Sequence, residues 1–195
     1  MKCLITGASS GIGKDIAKIF ASSGYEVILV SKGKERLENV SKEIDNSRIF
    51  IADLTKEKDV DKLLEFIKKE RPDVVVNNAG FGHFGFYDEI DENIELDMIK
   101  VNVVALERIT KTCLSYMNKD KNYYILNVAS LAGLMMGGPL LSTYYATKSY
   151  VRSYTLGLYK ELQVKNRNVH ISVLCPGPVD TNFNNVAGGS FSVKP

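Results

Sequence analysis

The chain has 195 residues, of which 45% are hydrophobic and 25% are charged, a balance typical of one globular domain, here residues 1–195. Its net charge of +2 gives no sign of a nucleic-acid partner, and no apolar run approaches the roughly 18 residues of a membrane span. Its three cysteines, Cys3, Cys113 and Cys175, have no metal-ligand spacing, so we expect free thiols, no metal site and a reducing, cytoplasmic location.

A glycine-rich stretch, Thr6–Gly13, follows a short apolar run near the start of the chain. We call it the glycine turn. A helix predicted over Gly11–Ser23 begins inside it. The free N–H groups at a helix N-terminus favour an anion such as a pyrophosphate, and Gly7, Gly11 and Gly13 permit a tight turn and a close approach of the backbone to a ligand. The pattern therefore predicts dinucleotide binding, although many loops are glycine-rich and the spacing differs from G-x-G-x-x-G.

Apolar strand patterns and amphipathic helix patterns alternate along the rest of the chain. The last segment, residues 176–195, has little periodicity. The predicted strands are Lys2–Ile5, Tyr25–Val30, Arg48–Ala52, Pro72–Val76, Tyr123–Val128 and Val169–Leu174. The later predicted helices are one around Leu37, Val40 and Ile44, one with Thr55 as its N-cap, one over Glu89–Asn118 and one over Ser142–Lys165.

This alternation predicts an α/β fold with helices on both faces of one sheet. We expect a single Rossmann-like, doubly wound parallel sheet of about six strands in the order 3-2-1-4-5-6. A ligand binds such a sheet at the switch point between strands one and four, beyond their carboxyl ends. The glycine turn and the segment Asn77–Gly80 both fall at that edge.

Several motifs, taken together and in order, resemble the short-chain dehydrogenase/reductase family over residues 6–181. The glycine turn is similar to its TGxxxGxG motif, and Asp53 and Asn77–Gly80 are similar to its adenine-side motifs. The resemblance implies an oxidoreductase that interconverts carbonyl and alcohol groups with NAD(P). Asn102, Ser130, Tyr144 and Lys148 resemble its catalytic tetrad, and Pro176, Gly177 and Thr181 resemble the segment that holds the nicotinamide.

Tyr144 and Lys148 are four residues apart in a predicted helix, so their side chains share one face. A nearby ammonium favours the phenolate, which lets Tyr144 exchange a proton with a substrate oxygen. The resemblance also implies that Lys148 bonds the nicotinamide ribose. Tyr145 competes for the role of Tyr144, but the residues after it fit the family with Tyr144 in register, so we interpret Tyr145 as a packing residue. The alternative is an ordinary amphipathic helix with a packed tyrosine and a solvated lysine.

Ser130 is predicted to end strand five with its hydroxyl in the cleft, where it would hold the substrate oxygen. The alternative is a serine that bonds its own backbone. Its interval to Tyr144 is one residue longer than usual in the family, which we interpret as an extra residue in the Gly133–Ser142 loop. For Asn102 the resemblance implies a helix irregularity and a water-mediated proton relay, whereas the alternative is an asparagine that pairs with a neighbour.

The end of strand two carries Ser31 and Lys32, where NAD-specific sites usually have an acid. A hydroxyl and a cation suit a 2′-phosphate, so NADP(H) is favoured over NAD(H), unless Lys32 is only a solvated lysine. Asp53 is expected to accept a hydrogen bond from the adenine amino group, or else to belong to the first turn of the next helix. The other predicted cofactor-binding residues are Ser9, Ser10, Ile12, Leu54, Asn78, Ala79, Gly80 and Val179, together with the glycines and motif residues given above.

The loops that would choose a substrate contain Phe81, Phe84, Phe86, Met135 and Met136, which are either an apolar pocket or core and lid packing. Family members commonly continue beyond the equivalent of residue 195, so the resemblance implies that the usual C-terminal helix and seventh strand are missing. It also implies a homodimer through the two long helices.

We conclude from the sequence that the chain is an NADP(H)-dependent oxidoreductase acting on a small carbonyl or alcohol substrate. Tyr144 is the acid/base in this hypothesis. The alternatives are a dinucleotide-binding sensor without turnover and a purely structural partner protein.

Overall fold

The computed structural model describes residues 1–118 and 121–179, and strands alternate with helices throughout them. None of the helices in these residues combines the length and apolar character that crossing a bilayer requires. The elements are β1 Lys2–Thr6, α1 Gly11–Ser22, β2 Glu26–Ser31, α2 Lys34–Lys42, β3 Ser47–Ile51, α3 Glu57–Glu70, β4 Val74–Asn77, α4 Glu92–Ile99, α5 Leu106–Tyr116, β5 Tyr123–Val128, α6 Ser142–Val164 and β6 Val169–Leu174.

The six strands form one parallel sheet in the order β3-β2-β1-β4-β5-β6, which confirms the predicted topology. Successive side chains of a strand point to opposite faces. In β1, Leu4 accordingly joins the apolar core on one face, and Cys3 and Ile5 join the core on the other. Burial on both faces explains why the central strands are continuous apolar runs.

The ends of several elements differ from the sequence prediction. Ser31 and Asn77 are the last residues of β2 and β4. Thr55 is not the N-cap of α3, because the helix begins at Glu57 with Lys56 as its N-cap. The Thr55 hydroxyl instead donates to Asp53 Oδ1 at 2.9 Å, so a local partner outcompetes the helix N-terminus.

The long helix predicted over Glu89–Asn118 is interrupted. Its middle section, Lys100–Ala105, is a π-helix that joins α4 to α5. A π-helix places an extra residue in its turn and occurs frequently at functional sites. Asn102 lies in this section with 1% exposure, so the helix irregularity that the resemblance implied is present at that residue.

Candidate active site

The glycine turn lies between β1 and α1 with backbone angles that glycine favours. Gly7 and Gly11 have φ values of 67° and 53°, in the left-handed region. Gly13 is buried, and a Cβ added there would lie 2.5 Å from the Gly7 carbonyl oxygen. The N-cap of α1, Ser10, makes no side-chain capping bond, and the first turn has no acidic residue. The first N–H groups of α1 therefore remain available to an anion.

A clamp from the end of β4 holds the glycine turn in place. Asn78 Nδ2 donates to the carbonyl oxygens of Thr6 at 3.0 Å and Gly7 at 3.2 Å. The Thr6 hydroxyl accepts from the backbone N–H groups of Asn78 and Ala79, both at 3.0 Å. Asn78 thus stabilises the glycine turn through its side-chain hydrogen bonds to the backbone of the turn. Its direct contact with a cofactor stays a prediction, as does that of Ala79, and sequence analysis had given Thr6 no role of its own.

The end of β2 adjoins the turn through a hydrogen bond of 3.0 Å between the Ser9 and Ser31 hydroxyls. Lys32 is exposed beside it. Burial acts to raise the pKa of Asp53, but two hydrogen bonds from Thr55 and the charge of Lys32 outweigh it, and the pKa is lowered. Asp53 is therefore an anion that neighbours Lys32 and belongs to the turn before α3.

Arg36 is a second cation here that sequence analysis missed. Its guanidinium lies against Gly33, the N-cap of α2 and two residues beyond the end of β2, where an added Cβ would lie 3.2 Å from Arg36 Nε. The signal in the sequence was its spacing of four residues from Lys32.

Lys148 lies on α6 with 5% exposure, and its Nζ donates to the carbonyl oxygen of Val128 at 3.0 Å. Burial lowers its pKa to about 8. A Cβ added at Gly80 would lie 3.1 Å from Lys148 Nζ and 3.0 Å from Asn102 Oδ1. Gly80 therefore leaves the space in which the lysine and the asparagine meet.

The Asn102 side chain ties three segments together. Its Oδ1 accepts from the N–H of Phe81 at 3.0 Å, and its Nδ2 donates to the carbonyl oxygen of Phe81 at 2.9 Å and to Thr147 Oγ1 at 3.1 Å. Thr147 Oγ1 in turn donates to the carbonyl oxygen of Tyr144 at 2.8 Å. The π-helix, the loop after β4 and α6 are therefore joined here. The relay of protons by Asn102 stays a prediction.

Tyr144 and Ser130 meet at the carboxyl edge of the sheet. Burial raises the pKa of Tyr144, and a hydrogen bond with Ser130 partly offsets this. The sequence predicts that the Lys148 ammonium favours the phenolate, but its Nζ lies 5.8 Å from the Tyr144 ring centroid and donates to Val128. Burial therefore has the largest effect on the pKa of the Tyr144 phenol.

Ser130 lies just after β5 rather than at its last residue, because the strand stops at Val128, which is its predicted end. Ser130 instead caps a short 3-10 helix, Leu131–Leu134, with its Oγ accepting from the N–H of Ala132 at 3.2 Å. Ser130 thus bonds its own backbone and also reaches Tyr144, and its contact with a substrate oxygen stays a prediction.

Further sequence predictions concern the surroundings of this pair. The Tyr145 ring packs on Gly138, where an added Cβ would lie 2.9 Å from its hydroxyl, as the packing interpretation requires. The carbonyl oxygen of Pro176 accepts from the N–H of Leu131 at 2.8 Å, which brings that segment beside Ser130. Gly177 has open space at its Cα and Val179 is 49% exposed. Thr181 and the expected missing C-terminal elements lie outside the described residues.

A buried polar chain that sequence analysis missed runs beneath the site. Asn77 Nδ2 donates to Thr110 Oγ1 at 3.1 Å and to Asn127 Oδ1 at 2.9 Å, and Asn127 Nδ2 donates to Thr155 Oγ1 at 2.9 Å. It connects the ends of β4 and β5 to α5 and α6. Polar residues at the ends of two adjacent apolar strands were its signal in the sequence.

The comparisons with known proteins agree with this architecture. A family model described as short chain dehydrogenase matches residues 2–188. An uncharacterized oxidoreductase of Staphylococcus saprophyticus is 33% identical over 184 residues, which are 92% of this chain and 74% of that protein.

Two solved structures share the fold at appreciable sequence identity. A short-chain dehydrogenase from Sphingobium yanoikuyae in complex with NADPH has a TM-score of 0.90 at 27% identity, over 97% of this chain and 75% of that one. A 3-ketoacyl-(acyl-carrier-protein) reductase from Brucella melitensis complexed with NADH has a TM-score of 0.85 at 33% identity, over 95% and 78% of the two chains. With the extent of the family match, these likenesses show that the chain is an oxidoreductase that belongs to the short-chain dehydrogenase family.

Proposed function

We propose that the protein is an NADP(H)-dependent carbonyl reductase or alcohol dehydrogenase. The observation that carries the proposal is the hydrogen bond between Tyr144 and Ser130, beside the buried Lys148, at the sheet edge that also holds the glycine turn. The turn suits a dinucleotide, because Gly13 packs too closely on the Gly7 carbonyl oxygen to admit a Cβ, which keeps the turn tight, and because α1 has no side-chain cap on its first N–H groups. The relatives solved with NADPH and NADH support a nicotinamide cofactor.

When bound, the nicotinamide supplies a hydride to the carbonyl carbon or accepts it in the reverse direction. Tyr144 gives its hydroxyl proton to the carbonyl oxygen, so that the C=O π pair becomes an O–H bond and an alcohol forms. The Ser130 hydroxyl holds the same oxygen. The phenolate left behind recovers its proton from solvent, and Lys148 would hold the nicotinamide ribose.

The preference for NADP(H) rests on the cations at the end of β2. Lys32 is exposed, Arg36 folds back over Gly33, and the hydroxyl of Ser31 lies at the same strand end. A 2′-phosphate takes charge-assisted hydrogen bonds from such groups. Lys32→Ala and Arg36→Ala should therefore weaken NADPH binding more than NADH binding, and equal losses would contradict the preference.

The test of the function combines binding and turnover. Titration with the protein should change the fluorescence of NADPH, and the protein should oxidise NADPH in the presence of ketones or aldehydes. Tyr144→Phe should lower kcat by roughly 100-fold or more while cofactor affinity changes little. Turnover of that variant near the parent rate would remove Tyr144 from its role. Binding of NADPH without oxidation by any carbonyl compound would favour a sensor.

We also propose a homodimer through α5 and α6. The support is a set of large hydrophobic side chains left 42–88% exposed on α6 and on the π-helix that leads into α5, namely Val104, Leu156, Tyr159 and Val164. Leu156→Arg should convert a dimer to a monomer in sedimentation. A parent protein that sediments as a monomer would overturn this part of the proposal.

A further inference from the structure

Two loops at the entrance to the site carry hydrophobic side chains that face solvent. One loop follows Ser130 and the other follows Gly80. Six side chains on them are 38% exposed or more, and Met136 is fully exposed. We call this set the apolar mouth: Phe86, Leu131, Leu134, Met135, Met136 and Leu140.

The five aromatic and methionine residues that the sequence left undecided thus separate into two groups. Phe81 and Phe84 pack against the buried cluster that includes Tyr144, so they are core. Phe86, Met135 and Met136 are 49% exposed or more, so they are not. Methionine adapts its shape to varied apolar ligands, and exposed apolar clusters mark binding surfaces.

The apolar mouth is built onto the catalytic residues. Ser130, which bonds Tyr144, is the N-cap of the 3-10 helix that carries Leu131 and Leu134. The two loops are joined by a hydrogen bond of 3.0 Å from the N–H of Gly85 to the carbonyl oxygen of Leu140. Leu140 has a φ of 65°, a left-handed conformation that a leucine adopts only where its surroundings impose it.

Charge around the apolar mouth selects against anionic substrates. Residues 122–147 contain no Asp, Glu, Lys or Arg, although a quarter of the chain is charged. The facing loop continues into exposed acidic residues, Asp88, Glu89 and Asp91. The phosphates of an acyl-carrier thioester meet no cation on these loops and are repelled by these carboxylates.

We propose that the apolar mouth binds the hydrocarbon part of the substrate, and that the substrate is an uncharged ketone or aldehyde with an extended apolar group, or the corresponding alcohol. The inference rests on the proposed function and assigns the substrate class of the same site. The reaction is unchanged, with hydride delivered to the carbonyl carbon and the Tyr144 proton to its oxygen. The hydrocarbon lies against the side chains of the mouth as the carbonyl oxygen meets Ser130.

The test is kcat/KM with NADPH for 2-butanone, 2-hexanone, 2-octanone and acetoacetyl-CoA. Complete burial of a methylene group is worth about fourfold in kcat/KM, so partial burial should give at least about a tenfold rise from 2-butanone to 2-octanone. The double variant Leu134→Ser, Met136→Ser should lower the ratio of the 2-octanone to the 2-butanone value by about fivefold or more. Ile19→Ser, at a 63% exposed position on α1, is the matched control and should keep the parent ratio.

Equal kcat/KM for the three ketones, an unchanged ratio in the double variant, or a preference for acetoacetyl-CoA over 2-octanone would each overturn the substrate class alone. An enzyme that reduces none of these compounds would overturn the proposed function and the substrate class with it.

Discussion

Lys148 is a cation held in an interior that disfavours charge. Burial lowers its pKa from 10.5 to about 8. Between these values the unfolded chain binds more protons than the folded one, so the contribution of Lys148 to the free energy of unfolding rises with pH. Lys148→Met should therefore be most stabilising, relative to the parent, below pH 8.

This advantage should shrink by about 3 kcal/mol between pH 8 and pH 10.5. Denaturant unfolding of both proteins across that range measures it, and the other titrating groups cancel in the difference. A difference that stays constant with pH would show that the buried ammonium does not titrate as described.

The hydroxyl of Thr147 joins the Asn102 side chain of the π-helix to the backbone of Tyr144 in α6. It has a single proton, which it donates to the carbonyl oxygen of Tyr144, so it must accept from Asn102 Nδ2. The accepted bond fixes the Asn102 amide with its oxygen, rather than its nitrogen, in the space beside Gly80 that Lys148 also borders. Thr147 is therefore a positioning residue.

Thr147→Val keeps the shape and removes the hydroxyl, whereas Thr147→Ser keeps the hydroxyl. The valine variant should lose about 1–3 kcal/mol of unfolding free energy, since Asn102 Nδ2 loses a buried partner. Its kcat should fall about tenfold, which corresponds to roughly 1.4 kcal/mol in the activation free energy, and its pH profile should shift, while the KM for NADPH stays near the parent value. The serine variant should restore the profile. Equal pH profiles in all three proteins would reduce Thr147 to a packing residue.

At the scale of elements, the sequence predicted what burial and turn chemistry dictate. The six apolar runs became the six strands, with β5 and β6 at the predicted bounds. The π-helix could not be derived from periodicity, since its extra residue has no compositional signature. The Asn102 and Asn127 contacts were hidden for another reason, because each joins residues 21 or more positions apart, and only the fold brings such partners together.

A substitution at Gly13, in the turn from β1 into α1, tests whether the close packing of the turn is needed for cofactor binding. In Gly13→Ala the added methyl meets the Gly7 carbonyl oxygen at 2.5 Å, and this atom belongs to the backbone, so the turn must open. We expect a loss of about 1–3 kcal/mol in unfolding free energy.

Cofactor binding should suffer as well, because an opened turn no longer aims the first N–H groups of α1 at one anion. We expect NADPH affinity to fall at least about tenfold, as measured by fluorescence titration. Gly157→Ala is the control, since its added methyl meets no atom within 4 Å and should leave NADPH affinity unchanged. If Gly13→Ala bound NADPH as tightly as the parent, the glycine turn would not be the site that binds the pyrophosphate.

At the scale of the whole molecule, the carboxyl ends and the amino ends of the strands form two chemically different edges of the sheet. The carboxyl ends of the strands carry the turn, the tyrosine and the lysine. The amino-terminal edge carries ion pairs, where Glu70 at the end of α3 contacts Lys2 of β1 at 2.8 Å and Arg48 of β3 at 2.7 Å. Arg48 also contacts Glu26 of β2 at 2.5 Å. These pairs connect β1, β2, β3 and α3 across the edge remote from the site, so their role is stability.

The stabilising role of these ion pairs can be measured through the pH dependence of the contribution of Glu70 to the free energy of unfolding. Hydrogen bonds from Arg48 and Lys2 lower its pKa from 4.5 to about 2, so its contribution to stability is complete above pH 4.5 and is lost as the pH falls towards 2. Its side chain is 14% exposed, but its partners are 36% and 45% exposed, and solvent screening reduces the contribution to about 1–2 kcal/mol.

Glu70→Gln should therefore unfold more easily than the parent at pH 7, and the gap should close between pH 4.5 and pH 2. Its kcat/KM at pH 7 should equal that of the parent, because the substitution lies at the opposite edge from Tyr144. If the difference in unfolding free energy persists at pH 2, the glutamate stabilises the fold through its packing and not through its charge. A fall in kcat/KM without a fall in the free energy of unfolding would contradict the claim that the ion pairs at the amino-terminal edge serve stability alone.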